Sequence, residues 1–341
     1  MGKWLKSCNA SSKETKKLGE LTRQYFGMSQ KEYRKILSAL RDRINIVEKL
    51  MSENRWEEIE FDKLPSKAGL IYRNAFAQKD IIKEKYIKFM MNKTSKVNAK
   101  ALYPYEIVNK VLQKRYSTTP LDDINRITVN KYWNNIEDFI KGANFNGIAV
   151  VDTSGSMLGT PMEVAISLGL YCAERCTGPF ANHFITFSTF PQLVKTEGID
   201  FWDKVLRIYR NSIISSTNIE AVFDLLLDTA IENKCSQEDL PQNILVISDM
   251  EFNRGSTVCL DKMETLMETI SQRWKKAGYS MPHLVYWNVD ARTDNIPQLG
   301  KDKISFISGF SPSIFQALLT GKSNLDLMYE ILDSERYKMI G

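Results

Sequence analysis

The chain has 341 residues, 43% apolar and 26% charged, with 17 Gly and 10 Pro. That balance excludes a mostly disordered or collagen-like polymer, and the length suits two domains. The net charge of +5 hides an asymmetry: residues 1–141 carry 29 Lys and Arg against 17 Asp and Glu, whereas residues 142–341 carry 17 against 24, so a basic front half precedes an acidic back half.

No apolar run approaches the ~20 residues that span a bilayer, so no membrane partner is expected. The opening residues 1–8 lack the apolar core of a secretory signal, and Lys6 stands where a myristoylation motif wants Ser or Thr. A cytoplasmic protein is expected. The five cysteines are scattered, with no Cys-x-x-Cys, and there are only two histidines, His183 and His283. This argues against a structural zinc site. Cys172 and Cys176, four apart in a helical pattern, read as small buried apolar residues.

In chain order, the front half reads as helices. Tyr33, Leu37, Leu40, Ile44, Val47 and Met51 recur at three- and four-residue spacing, which predicts one amphipathic helix over 29–51 capped by Ser29. An acidic connector reaches Pro65. A second helical stretch is expected over 66–91, a third from about 101 with Pro104 in its first turn, and a fourth over 122–141.

After Gly142 the pattern changes to short apolar runs alternating with helices. Strands are expected at 147–152, 181–189, 192–196, 243–249, 283–289 and 304–308, and helices at 162–176, 218–231, 261–277 and 312–319. Buried apolar strands alternating with helices predict an α/β fold with a doubly wound, mostly parallel sheet, following an N-terminal all-α region. The expected domains are therefore a basic helical region, 1–141, and an α/β domain, 142–341. Such sheets bind ligands beyond the C-terminal ends of their strands.

The most informative stretch lies at such an end. Asp152-Thr153-Ser154-Gly155-Ser156 follows the first apolar strand and packs three oxygen donors into one turn. Thr217 stands just before a helix, and Asp249 ends another strand. Short neutral hydroxyls from Ser154, Ser156 and Thr217, with carboxylates from Asp152 and Asp249, suit a hard divalent cation such as Mg²⁺, which prefers oxygen ligands in octahedral array. Neutral hydroxyls around the ion leave it electron-poor and receptive to an outside carboxylate.

These five positions, in this order, resemble the metal-ion-dependent adhesion site of von Willebrand factor A domains, over roughly residues 144–319. The resemblance implies a Rossmann-like α/β fold, Mg²⁺ or Mn²⁺ held by Asp152, Ser154, Ser156, Thr217 and Asp249, and ligand binding rather than catalysis. Many such domains have Gly after the last Asp, whereas Met250-Glu251 follow here. In the front half, segments such as Arg55-Trp56-Glu57 and Leu102-Tyr103-Pro104-Tyr105-Glu106-Ile107 resemble the family described as domain of unknown function 2828, similar in plan to Ro-type ribonucleoproteins.

Two readings of function follow. In the first, the protein is a non-enzymatic, metal-dependent binding module whose partner is a protein with an acidic ligand residue. In the second, the basic half grips small RNA through Lys13, Lys16, Lys17, Arg41, Arg43, Lys110, Lys114 and Arg115, with Tyr103, Tyr105, Tyr116 and Trp133 as candidates to stack on bases.

Catalytic motifs fail on inspection. Thr320-Gly321-Lys322-Ser323 has Gln316 where a phosphate-binding loop needs Gly. A phosphatase needs a second Asp where Ser154 stands. Ser154 and Ser156 lack the Gly-x-Ser-x-Gly elbow of a serine nucleophile. No enzymatic activity is expected.

Overall fold

The structure, a computed structural model, describes residues 4–44, 46–114, 116, 120–140, 145–210, 218–249, 260–290 and 304–312, with a few single positions beyond. It divides into two compact units, Met1–Asn98 and Ala99–Gly341.

The first unit is helical: α1 (Lys13–Tyr25), α2 (Gln30–Arg43), α3 (Val47–Ser52), α4 (Ser66–Ile71), α5 (Arg73–Gln78) and α6 (Asp80–Met91). Ser12 caps α1, and Ser29 with Glu32 forms a reciprocal capping box on α2. The single helix expected over 29–51 is two. The β-branched residues Ile44, Ile46 and Val47 favour extended backbone, and Ile46 adopts it (φ −67°, ψ 139°) immediately before α3. The stretch 66–91 is likewise broken, at Tyr72 and Lys79.

Aromatic packing and a small apolar cluster help stabilise this unit. Phe61, Phe76 and Tyr86 pack edge-on or tilted with ring centroids 5.0–5.5 Å apart. Tyr33 and Leu37 of α2 bury against Cys8, and the Tyr33 hydroxyl donates to the Lys6 carbonyl. Gly19 of α1 lies against the backbone of Ser7 and Cys8, where a Cβ would come within 2.6 Å of the Ser7 carbonyl carbon.

The second unit holds α7 (Pro104–Leu112) and α8 (Pro120–Asn134), then β1 (Gly147–Val151), α9 (Thr160–Arg175), β2 (His183–Thr186), β3 (Leu193–Lys195), α10 (Phe201–Arg210), α11 (Ile219–Glu232), β4 (Asn243–Ser248), α12 (Leu260–Lys276), β5 (His283–Asn288) and β6 (Ile304–Ser308). The strand order is β3-β2-β1-β4-β5-β6; only the β2–β3 hairpin is antiparallel. All six strands stand where the apolar runs predict them. The helix expected over 312–319 lies largely outside the described residues.

Ile148, Val150, Ile244, Val246, Leu284 and Tyr286 bury on one face of the sheet against Val222, Phe223 and Leu226 of α11 and Ile270 and Trp274 of α12. The Arg273 guanidinium ties these two helices by pairing with Glu220 and Asp224. The other face is covered by α9. Gly169 permits that close approach: a Cβ there would lie 2.4 Å from Val151 Cγ2.

Helices α7 and α10 pack on α9, and α8 packs against α7 and α10, so the compact unit begins before the change of sequence pattern at Gly142. The Glu174 carboxylate of α9 accepts from Trp133 Nε1 of α8 (2.7 Å) and pairs with Lys204 of α10 (2.6 Å). Arg126 of α8 grips Asp200 and Asp203 at the start of α10, both at 2.6 Å.

Tyr171, on the last turns of α9, accepts the Phe139 N–H (2.7 Å) and donates to the Glu137 carbonyl (3.1 Å). Burial is the dominant influence on its phenol and pushes it up to about 12 from an ordinary 10. The unfolded chain therefore releases this proton first as pH rises. Stability is full below pH 10 and falls through the window up to about 12, by roughly 1.4 kcal/mol per unit. Burial shifts Tyr286 in the same sense. Urea unfolding at about pH 9 and about pH 11.5 should therefore show a smaller alkaline loss for Tyr171→Phe than for the natural chain.

Candidate metal centre

The candidate site begins where β1 ends. Asp152 N–H donates to the Ile247 carbonyl of β4 (3.1 Å), so the parallel ladder carries the carboxylate to the C-terminal edge. Asp152 is buried, 2% exposed. Its Oδ1 accepts the Ser154 N–H (2.9 Å) and its Oδ2 accepts the Ser248 hydroxyl (2.5 Å). The next turn is a short 3₁₀ segment, Gly155–Met157, pinned by the buried Met157 side chain. It brings Ser154 Oγ and Ser156 Oγ within 3.1 Å of each other. Asp249, 5% exposed, follows Ser248 off β4, the strand beside β1.

Four of the five expected ligands thus gather at the C-terminal ends of two adjacent strands. The fifth, Thr217, lies outside the described residues, as do Met250 and Glu251. Asn218 caps α11, its side chain accepting the Ala221 N–H. The Ser248 hydroxyl, which orients Asp152, was not among the residues expected from sequence. Its signal was a polar side chain closing an otherwise apolar strand. His183 and His283 begin β2 and β5, at the opposite edge.

The electrostatics suit a hard cation. Burial is the largest influence on Asp152 and raises its pKa; hydrogen bonds from Ser248 and Ser154 offset this, and the neighbouring Asp249 charge adds to it. A divalent ion would reverse both costs by neutralising the buried pair. Among the described residues no three His, Cys, Asp or Glu side chains cluster. The donors here are carboxylates and hydroxyls, oxygen throughout, the set that Mg²⁺ and Mn²⁺ take rather than softer metals.

Of the candidate RNA contacts, Lys13, Lys16, Lys17 and Arg43 are exposed in the first unit, and Arg41 reaches the Leu5 carbonyl. Lys110 and Lys114 are half-buried in the second unit; Arg115 lies outside the described residues. Tyr116 is exposed, Tyr103 stacks on Tyr105, and Trp133 is buried against Phe201 and withdrawn from any base. Cys172 and Cys176 are buried with their sulfurs 3.2 Å apart, and the Cys172 thiol is pushed up by its neighbour and by burial.

Fold and edge together define an α/β protein with a doubly wound, mostly parallel sheet, an N-terminal helical region, and acids and hydroxyls gathered at the strand ends. Residues 146–338 match the family described as "Domain of unknown function (DUF7788)", and the chain belongs to it. Residues 3–143 carry the domain described as "Domain of unknown function (DUF2828)".

An uncharacterised protein of Acanthamoeba polyphaga mimivirus is 31% identical over 325 residues, 89% of this chain and 54% of that protein, so the chain spans about half its length. Among solved structures, the chain is similar to the Ro (RSR) protein of Deinococcus radiodurans, with 14% identity, 92% of this chain and 68% of that one covered, and a TM-score of 0.48. It is also similar to the conserved hypothetical protein BatB of Bacteroides thetaiotaomicron, with 14% identity, coverage of 55% and 99%, and a TM-score of 0.30. No described helix is long and apolar enough to cross a membrane.

Proposed function

We propose that this chain is a non-enzymatic, metal-dependent binding module, with residues 142–341 acting as a von Willebrand factor A-like domain. Asp152, Ser154, Ser156, Thr217 and Asp249 hold Mg²⁺ or Mn²⁺, and a carboxylate from a protein partner completes the shell. The observation that carries this reading is the convergence of two buried carboxylates and two hydroxyls on the edge shared by β1 and β4. When bound, the ion supplies a Lewis-acidic point that accepts an outside oxygen. The protein's own part is to fix the ligands: Ser248 and the Ser154 N–H orient Asp152, and Met157 anchors the loop from beneath. Calorimetric titration with Mg²⁺ and Mn²⁺ tests the proposal. Saturable heat that Asp152→Ala abolishes supports it, and identical isotherms for both proteins would remove it.

A second reading, RNA binding by the basic half, is favoured by the charge of residues 1–98, which carry 22 Lys and Arg against 12 Asp and Glu, and by the exposure of Lys13, Lys16 and Lys17 along α1. Affinity for a small structured RNA should then fall steeply with salt. Lys→Glu at these three positions should weaken binding and shallow the salt slope by about one for each phosphate no longer neutralised. A flat salt response would dismiss this reading.

A further inference from the structure

Two large apolar side chains stand exposed on the two loops that leave the same sheet edge as the candidate metal site. Leu158, two residues beyond Ser156, is 65% exposed, and Phe190, at the tip of the β2–β3 hairpin, is 81% exposed. The hairpin adjoins the metal loop at its base: the Phe187 N–H bonds the Val151 carbonyl, one residue before Asp152.

Both side chains are presented by backbone fixed from behind. The buried Ser188 hydroxyl donates to the Phe190 carbonyl (2.8 Å), and Thr186 and Gln192 close the hairpin with two hydrogen bonds. Pro191 holds Phe190 away from helical backbone. The Leu158 N–H returns to the Gly155 carbonyl, and Gly159 follows at φ 97°. One exposed apolar residue is ordinary; two held on hydrogen-bonded turns at the sheet edge that carries the metal loop offer apolar contact to a ligand bound there.

Charge narrows the ligand further. Residues 142–341 carry 17 Lys and Arg against 24 Asp and Glu, an acidic balance that favours a single acid over a run of acids or an anionic lipid surface. For a single acid set among apolar neighbours, apolar contact then supplies the remaining affinity.

We infer that the partner's metal-seeking residue is a lone Asp or Glu directly flanked by a bulky aliphatic or aromatic side chain, which packs against Leu158 and Phe190. This rests on the metal reading above.

Three fluorescent hexapeptides, each with one central Asp flanked by Leu and Phe, by Ser and Asn, or by further Asp, test it by anisotropy with the full chain in Mg²⁺. The apolar-flanked peptide should bind roughly tenfold tighter than the other two. The advantage should vanish in a Leu158→Ser, Phe190→Ser double variant and survive in Phe190→Leu, and EDTA should release every peptide. Equal affinities, an advantage that outlasts the double variant, or binding in EDTA would overturn the inference. Phenylalanine-dependent capture of phosphatidylcholine vesicles would also overturn it and reassign the pair to lipid. A normal Mg²⁺ isotherm without peptide discrimination defeats this inference alone, whereas a silent Mg²⁺ titration defeats the metal reading with it.

Discussion

Asp152→Asn is expected to stabilise the metal-free protein and to remove its response to Mg²⁺, two effects of opposite sign from one substitution. Without metal, an ionised Asp152 is 2% exposed and lies beside the Asp249 charge. Asn keeps the shape, its amide oxygen accepts the Ser154 N–H, and the Ser248 hydroxyl rotates from donor to acceptor. Relief of the buried charge is worth about 1–3 kcal/mol, or several degrees in thermal midpoint for a unit of this size. With Mg²⁺ at about a hundred times its dissociation constant, the natural chain gains about 2.7 kcal/mol and the variant none. Thermal melts of both proteins, each with EDTA and with Mg²⁺, read all four states. If Asn lowers the metal-free midpoint and the natural chain ignores Mg²⁺, the loop is a hydrogen-bonded turn and no more.

Trp133→Ala is expected to cost the second unit about 3–5 kcal/mol. The indole stacks on Phe201 at 4.3 Å, donates to Glu174 and lies under the Arg175 guanidinium. It therefore joins α8, α9 and α10 at one point, and its loss opens a cavity among three helices. Trp133→Phe should recover more than half, because the ring stacking survives and Glu174 retains Lys204. Urea midpoints for the two variants give the ratio. A loss below about 1 kcal/mol for Ala would mean that the helices close over the gap.

The strands were legible in the sequence because a doubly covered sheet demands unbroken apolar runs, and Gly147-Ile-Ala-Val-Val and Asn243-Ile-Leu-Val-Ile are of that kind. The site was legible in part. Strand ends bring Asp152, Ser154, Ser156 and Asp249 to one edge whatever the loops do, whereas the Ser248–Asp152 hydrogen bond needs the β1–β4 register, which no local pattern states.

Helices whose ends are decided by tertiary contacts were harder to read. Helix α10 was not anticipated from the sequence. Phe201, Trp202, Val205 and Ile208 do repeat at helical spacing, but the start is fixed by Asp200, which caps Asp203 N–H and takes Arg126 from α8. Nor was α1, where Leu18 and Leu21 face outward and only Gly19 is buried, so no apolar stripe marks a core-facing side.

The packing of α7 on α9, with Trp133 of α8 bonded to Glu174, has a practical and a historical consequence. A fragment cut at Gly142, where the charge and the pattern change, would strip Ile107, Val108, Val111 and Trp133 from their neighbours, leave α9 covered by α10 alone and make the fragment prone to aggregate. One cut at Ala99 would keep its cover. Although one family region closes at residue 143 and the other opens at 146, α7 of the first covers α9 of the second. Shuffling either region alone between genes would carry a solubility penalty, and lineages that inherited them together would be spared it.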